Sequence, residues 1–218
     1  MGLPDTGVVI WGAGGHAKVV ADIVRLEGRF QIEGFIDELN PDRAGEAFCG
    51  SLVIGGRECL EILRKKGILK ILPGFGDCRR RSQLNEELRT LGFVMPNVIH
   101  PRATVAADVC IDGGTIIAAG AVVGPGVRLG RSVIINTAAS VDHDCVLGDA
   151  VHVCPGAHLA GGVIIGEASQ IGIGAVVIDG VCIGAQSLIG AGAVVTKNIP
   201  ESVVAYGVPA HIKREHLQ

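Results

Sequence analysis

From Ile99 to Val195 an aliphatic residue returns at every sixth position without a gap, seventeen times in all. The series opens Ile99, Val105, Ile111, Ile117 and closes Val177, Ile183, Ile189, Val195. Four residues after each member, from Ala103 through Val109, Thr115 and Ala121 to Ala193, comes a small or β-branched residue. A helix repeats at 3.6 residues and a strand at two, so neither produces a period of six. A six-residue period marks β-helices, whose units bury their apolar faces only by stacking on their neighbours. With three hexads per turn, stacked positions lie 18 residues apart and the repeat makes between five and six coils. Strands on successive coils then lie about 4.8 Å apart.

The hydrophobic content of 48 % belongs to this repeat and not to a membrane span. Apolar runs are broken throughout by Gly, Asp and Asn, and none approaches the ~18 residues a spanning helix needs. Aromatics are only 3 %, as a narrow core filled by Ile, Val, Leu and small residues requires. A net charge of −3 gives no reason to expect nucleic acid. The start of the chain has no basic stretch before an apolar one, so no signal peptide is expected. Seven cysteines, with no C-x-x-C pair, point to reduced thiols and a cytoplasmic protein.

Residues 1–96 lack the hexad and alternate between strand and helix patterns, which argues a small parallel α/β sheet. Strands are expected at Val8–Trp11, Gln31–Ile36, Ile68–Leu72 and Phe93–Met95, and helices after Gly15, at Glu58–Lys66 and at Arg79–Leu91. Residues 40–56, with Asn40-Pro41 and Gly45, read as a variable loop. The expected division is an α/β domain over 1–96, a β-helix over 97–199 and a capping tail over 200–218.

Two places break the pattern chemically. Gly12-Ala13-Gly14-Gly15-His16-Ala17 fits G-x-G-x-x-[GA] between a strand and a helix, with Asp37 at the end of the next strand. Glycines there let the backbone turn tightly and approach a phosphate, while the helix N-terminus offers unpaired N–H donors. Asp37 would accept from a ribose hydroxyl. An NAD dehydrogenase is the obvious reading, but fewer than 100 residues leave little room for a nicotinamide half-site and a substrate site. A nucleotide other than NAD is therefore expected.

The second break is Ser140-Val141-Asp142-His143-Asp144, because most turn positions of the repeat hold Gly, Ala or Asp. A neutral imidazole takes a proton from a nucleophile near pH 7, and an adjacent carboxylate orients it. One coil above His143 stands Gly161, so no side chain covers the imidazole from that side and a slender ligand is admitted. His152 lies half a coil round and cannot meet His143 within one subunit. Three histidines, His143, His152 and His158, also raise a zinc enzyme of the γ-carbonic anhydrase kind, though no pair has that family's ligand spacing. Cys145 is expected to face the core.

Assembled, these residues resemble the hexapeptide-repeat acyltransferases, above all the sialic acid O-acetyltransferase and bacillosamine or perosamine N-acetyltransferase group. The likeness rests on Gly14-Gly15-His16, the hexads, Val141-Asp142-His143-Asp144 and the closing Gly207-Val208-Pro209-Ala210. It implies a Rossmann-like domain followed by a left-handed parallel β-helix, although parallel crossovers in general are right-handed in roughly 98 % of cases. It implies a homotrimer with acetyl-CoA lying between subunits, a nucleotide-linked amino sugar as acceptor, and no metal. By position, His143 would be the base and Asp144 its partner. Gly14, Gly15, His16, Asp37, Glu38 and Gly76 would bind the nucleotide sugar, with Asn136 near the reacting centre. His152, Gly161, Ile173 and Ala191 would contact acetyl-CoA. Some relatives have Ser at position 14 and Glu at 144, and the shorter Asp144 reaches less far. An O-acetyltransferase acting on sialic acid and a non-catalytic nucleotide-binding scaffold remain alternatives.

Overall fold

The computed structural model describes residues 6–216. The extreme ends of the two expected terminal segments, residues 1–5 and 217–218, lie outside the described residues.

Strand β1 (Gly7–Trp11) carries Val8, Val9 and Ile10 fully buried on both faces, as the centre of a parallel sheet demands. Helix α1 (Gly15–Glu27) turns Ala17, Val20, Ala21 and Val24 onto that sheet at helical spacing. It stops at Gly28, whose φ of 73° lets its N–H close back on the Val24 carbonyl. Then follow β2 (Gln31–Ile36), β3 (Ala47–Phe48), β4 (Ser51–Gly55), α2 (Cys59–Lys65), β5 (Ile71–Pro73) and α3 (Cys78–Thr90). The sheet order is β3-β4-β2-β1-β5, parallel except for the β3–β4 hairpin.

Three expectations are corrected here. Residues 40–56 are not merely loop: Pro41–Arg43 form a 3₁₀ turn, and the rest supplies β3 and β4. The strand expected at Phe93–Met95 shrinks to a single bridge between Val94 and Lys70, because the sheet edge at β5 ends there. The strand read at Ile68–Leu72 likewise begins only at Ile71.

From Val98 the chain makes seventeen two-residue strands, and each hexad aliphatic is the second residue of one. These strands stack into three parallel sheets, the faces of a triangular prism, with partners 18 residues apart such as Ile135 on Ile117 and Val153. The aliphatics and their companions four residues on, Cys145 among them, form one continuous interior cluster. Hydroxyls in that interior are bonded: Thr115 donates to Gly130 O, Ser169 to Gly184 O and Ser187 to Pro200 O. From 114 to 192, each sixth residue has positive φ at the turn, and six of these fourteen are not glycine. One of the six is Asp144.

The α/β domain docks on one prism face. The outward residues Val98, Ile116 and Ile134 of that face join α1 in a second core cluster. At the far end, Val203–Tyr206 continues the same sheet from Leu188–Ile189, and His211–Glu215 pairs back antiparallel. Ile135→Ala, at a fully buried position, is expected to cost about 2–5 kcal/mol. Lys65→Ala, on the exposed end of α2, should stay within about 0.5 kcal/mol, both read from urea unfolding.

Candidate active site

The Gly-rich turn leads from β1 into α1, which begins without any side-chain cap. Its first N–H groups are therefore left for a ligand. Gly12, at φ 128°, passes so close to the Gly74 carbonyl that a Cβ would lie 2.9 Å from it, whereas Gly14 and Gly15 face open space. A cavity of about 440 Å³ opens over this turn, and Gly14, Gly15, His16, Asp37, Glu38 and Gly76 all line it.

Asp37 is already engaged within the chain. One oxygen accepts from Asn40 N at 3.1 Å and the other from Arg43 Nη1 at 2.8 Å, with Arg43 also donating to Ala13 O. The carboxylate ties the 3₁₀ turn to the Gly-rich turn, and each oxygen keeps a second lone pair. Glu38 accepts from Arg57 and Arg80. Partial burial opposes ionisation, but these two guanidinium groups hold its carboxyl below the usual range.

Beneath the cavity, at the junction with the coil, four predicted residues meet: His16, Gly76, Asn136 and His152. His152 lies on the docked face, directly after Val98, Ile116 and Ile134 in its column, and is 8 % exposed. Its Nδ1 is 3.2 Å from Gly76 O and its Nε2 is 3.0 Å from Asn136 Nδ2. A carbonyl can only accept, so Nδ1 carries the hydrogen and Nε2 accepts from the amide. Asn136 is oriented in turn because its Oδ1 takes the Thr137 N–H at 2.8 Å. Burial, followed by the positive field of Arg81, pushes His152 down to about 3 and His16 to about 4. Both rings are neutral, with centroids 6.2 Å apart.

His143 stands elsewhere, on the corner after Ser140–Val141. Its Nδ1 is 2.9 Å from Asp144 Oδ2 and its backbone N–H binds Asp142 Oδ1. The short Asp144 does reach, because its φ of 58° turns the side chain back toward its neighbour. Asp is among the residues that tolerate this left-handed conformation. With Nδ1–H on the carboxylate, Nε2 keeps a free lone pair in solvent. The Asp144 hydrogen bond raises the His143 pKa against slight desolvation, and the Asp142 charge adds to it. Two glycines make room for the pair. A Cβ on Gly161 would lie 2.4 Å from the imidazole, and one on Gly126 would lie 2.6 Å from Asp144 Oδ1.

The predicted acetyl-CoA contacts are thus divided. Gly161 shares a corner with His143, whereas the exposed Ile173 and Ala191 stack on the corner that follows the face bearing His152. His158 pairs with Ser140 Oγ at 2.8 Å, and among the described residues no three His, Cys, Asp or Glu side chains come together as a metal site. A groove of about 570 Å³ between α3 and Glu167, Gln170 and Gln186 contains none of the predicted residues.

Sequence reasoning missed Arg43, Arg80 and, above all, Arg81. Arg81 is 1 % exposed and donates to Gly76 O (2.6 Å), Ala150 O (2.7 Å) and Ser132 O (3.1 Å). The signal was present: Cys78, Arg81, Asn85 and Leu88 recur at helical spacing on the buried face of α3.

Comparison with known proteins accounts for both halves. Residues 7–88 match the family described as PglD N-terminal domain, and residues 162–197 match bacterial transferase hexapeptide (six repeats). A histidine-to-alanine variant of GDP-perosamine N-acetyltransferase from Caulobacter crescentus, in complex with CoA and GDP-perosamine, is 43 % identical with a TM-score of 0.91. The match covers 96 % of this chain and 97 % of that one. The acetyltransferase domain of PglB from Neisseria gonorrhoeae, in complex with acetyl coenzyme A, is 40 % identical with a TM-score of 0.89, covering 95 % and 99 %. WeeI from Acinetobacter baumannii is similar at 27 % identity and a TM-score of 0.86, covering 94 % and 99 %. No curated protein sequence matches significantly. With two relatives at 40 % identity or more, each matched over nearly all of both chains, the chain belongs to the left-handed β-helix, hexapeptide-repeat sugar N-acetyltransferases, which are acetyl-CoA-dependent enzymes.

Proposed function

We propose that this enzyme acetylates the amino group of a nucleotide-linked 4-amino-4,6-dideoxy sugar used in surface glycan synthesis. The observation that carries the reading is His143, with Nδ1 held by Asp144, Nε2 free, and the bare Gly161 backbone beside it. That arrangement is a general base next to a slot for a slender acyl carrier. The uncapped α1 N-terminus and the cavity over Gly14 and Gly15 supply the place for the sugar's nucleotide. The GDP-perosamine in the Caulobacter crescentus enzyme makes a GDP-linked sugar the first acceptor to test.

The sugar amine, bound as its free base, attacks the thioester carbonyl of acetyl-CoA. As the C–N bond forms, His143 Nε2 takes the proton, and Asp144 supports the resulting imidazolium. A backbone N–H of the coil stabilises the oxyanion. When the C–S bond breaks, the imidazolium returns the proton to the departing CoA sulfur, so no metal is consumed or required.

Acetyl-CoA would span two subunits of a trimer, because its predicted contacts sit on different corners of the prism. Outward-facing Val122 and Val176 on one face, and Val146 and Ile164 on another, are 38–47 % exposed and offer apolar stripes for that packing. Among the described residues no helix is long and apolar enough to cross a membrane. We place the reaction in the cytoplasm, a reading supported by seven free cysteines.

The first test follows CoA thiol release with acetyl-CoA and a panel of GDP- and UDP-linked 4-amino sugars beside free sialic acid. Turnover on a nucleotide amino sugar supports the proposal, and turnover on sialic acid alone overturns it. His143→Ala should lower kcat about 10²–10⁴-fold, and an unchanged kcat removes the base role. Asp144→Asn should move the acid limb of the kcat profile to lower pH while lowering its plateau. The sign follows because loss of the carboxylate lets His143 shed its proton at a lower pH. Gly161→Ala, at a position without positive φ, should cost about a hundredfold in kcat by displacing the ring, with little change in the thermal midpoint.

A further inference from the structure

The interface between the two halves is held by a cation that, among the described residues, is hydrogen-bonded to no carboxylate. Arg81 is buried from α3, and among the described residues its hydrogen-bond partners are the carbonyls of Gly76, Ser132, Ala150 and Val151 and the Cys78 thiol, never a carboxylate. A buried guanidinium bonded to no carboxylate is a costly way to join two surfaces, and apolar residues of similar volume often do so at least as well. Its contacts show what else it accomplishes. Gly76 O, held by Arg81 Nη1 at 2.6 Å, is the same oxygen that His152 Nδ1 binds at 3.2 Å. A Cβ on Gly76 would come within 3.3 Å of His152 Cε1, so any side chain there would press on the ring. The far side of that ring accepts from Asn136 Nδ2, and Asn136 Oδ1 is already taken by Thr137 N.

We propose that Arg81 is a positioning residue for acetyl transfer: by fixing the Gly76 carbonyl it fixes the tautomer of His152, and through it the Asn136 amide. The series runs from α3 of the nucleotide domain to the coil: Arg81 donates to Gly76, His152 donates to Gly76, and Asn136 donates to His152. With Nδ1–H committed to Gly76, Nε2 must accept, and the Asn136 amide is left with one N–H in a defined direction. Every member depends on His152 staying neutral. The titratable groups acting on it are Arg81 from α3 and His16 from α1, with the Cys78 thiol bonded to its backbone; none of these is an acid that would favour the imidazolium at neutral pH. The proposal rests on the reading that places His152 and Asn136 beside the acyl donor and the reacting centre.

Two measurements test it on the full-length protein. The first is histidine side-chain ¹⁵N NMR of the unmutated enzyme, assigned with His152→Asn. It should show His152 neutral with its hydrogen on Nδ1 from pH 5 to 8, whereas a hydrogen on Nε2 overturns the proposal whatever the substrate proves to be. The second is a double-mutant cycle between Arg81→Met and His152→Asn, with Arg81→Lys as the conservative variant should Arg81→Met fail to fold. Arg81→Met should lower kcat about tenfold or more while the nucleotide-sugar KM changes less than about threefold, with partial recovery in Arg81→Lys. The double variant should lose little beyond His152→Asn alone, because both act through one ring. Losses that multiply, or a fall confined to thermal stability, would show that Arg81 only joins the two halves. If no acceptor in the panel is acetylated, the function falls while the NMR result still decides the tautomer.

Discussion

Each hexad can bury its single inward aliphatic only against the coil above and the coil below. That constraint forces strict register, because a slip of one residue would turn the interior of a two-residue strand outward. Strict register makes columns, and columns decide which residues meet: 143 lies under 161 and over 125, and 152 lies over 134. The chemistry is placed by the same rule that makes the core. The outward column Val98, Ile116, Ile134 gives the α/β domain its apolar seat, and His152, the next member, falls at the rim of that seat beside the nucleotide cavity.

The proposed base and its acidic partner sit where the column pattern is broken. The left-handed turn position is glycine at Gly126, Gly162 and Gly180, but an acid at Asp144. The neighbours give way in compensation: Gly126 is bare under the Asp144 carboxylate and Gly161 is bare against the His143 ring. A repeat tolerates such a local departure because the inward positions Val141 and Leu147 on either side continue the stack unchanged. The rigid coil then holds the exposed histidine and acid as firmly as a loop would need several extra contacts to do.

How much of this was legible depended on the periodicity involved. The seventeen hexads read directly onto seventeen strands, since a core one residue wide admits no alternative. Strand Gln31–Ile36 and the Gly28 stop were equally plain. The β3–β4 hairpin was hidden because Asn40, Pro41 and Gly45 mark turns and β3 has only two residues, too short for alternation to show. Asp37 was found, but its engagement with Arg43 was not, because Arg43 lies in that unread segment. Arg81 was masked by its neighbours: in Arg79-Arg80-Arg81 three like residues face in different directions, and only helical phase distinguishes the buried one. The division of acetyl-CoA contacts between two corners followed from counting, as the nine residues from His143 to His152 are half a coil.

The histidines show how one fold separates two protonation tasks. His143, exposed and bonded to a carboxylate, has its pKa raised and can cycle between neutral and charged near physiological pH. His16 and His152, buried and near an arginine, are held neutral far below it. Groups pushed in opposite directions suit different tasks, and the proposed mechanism has His143 exchange a proton while His16 and His152 bind without one. In the proposed mechanism the acetyl carbonyl takes donors of fixed direction, and a neutral His152 keeps its Nε2 as an acceptor that orients the Asn136 amide. A buried arginine that keeps its neighbours uncharged, while reserving its own hydrogens for carbonyls, meets both needs. Its placement at the seam explains why the two domains must be docked for that environment to exist: in the separated coil His152 would lie open to water, lose the Gly76 carbonyl, and titrate like an ordinary imidazole.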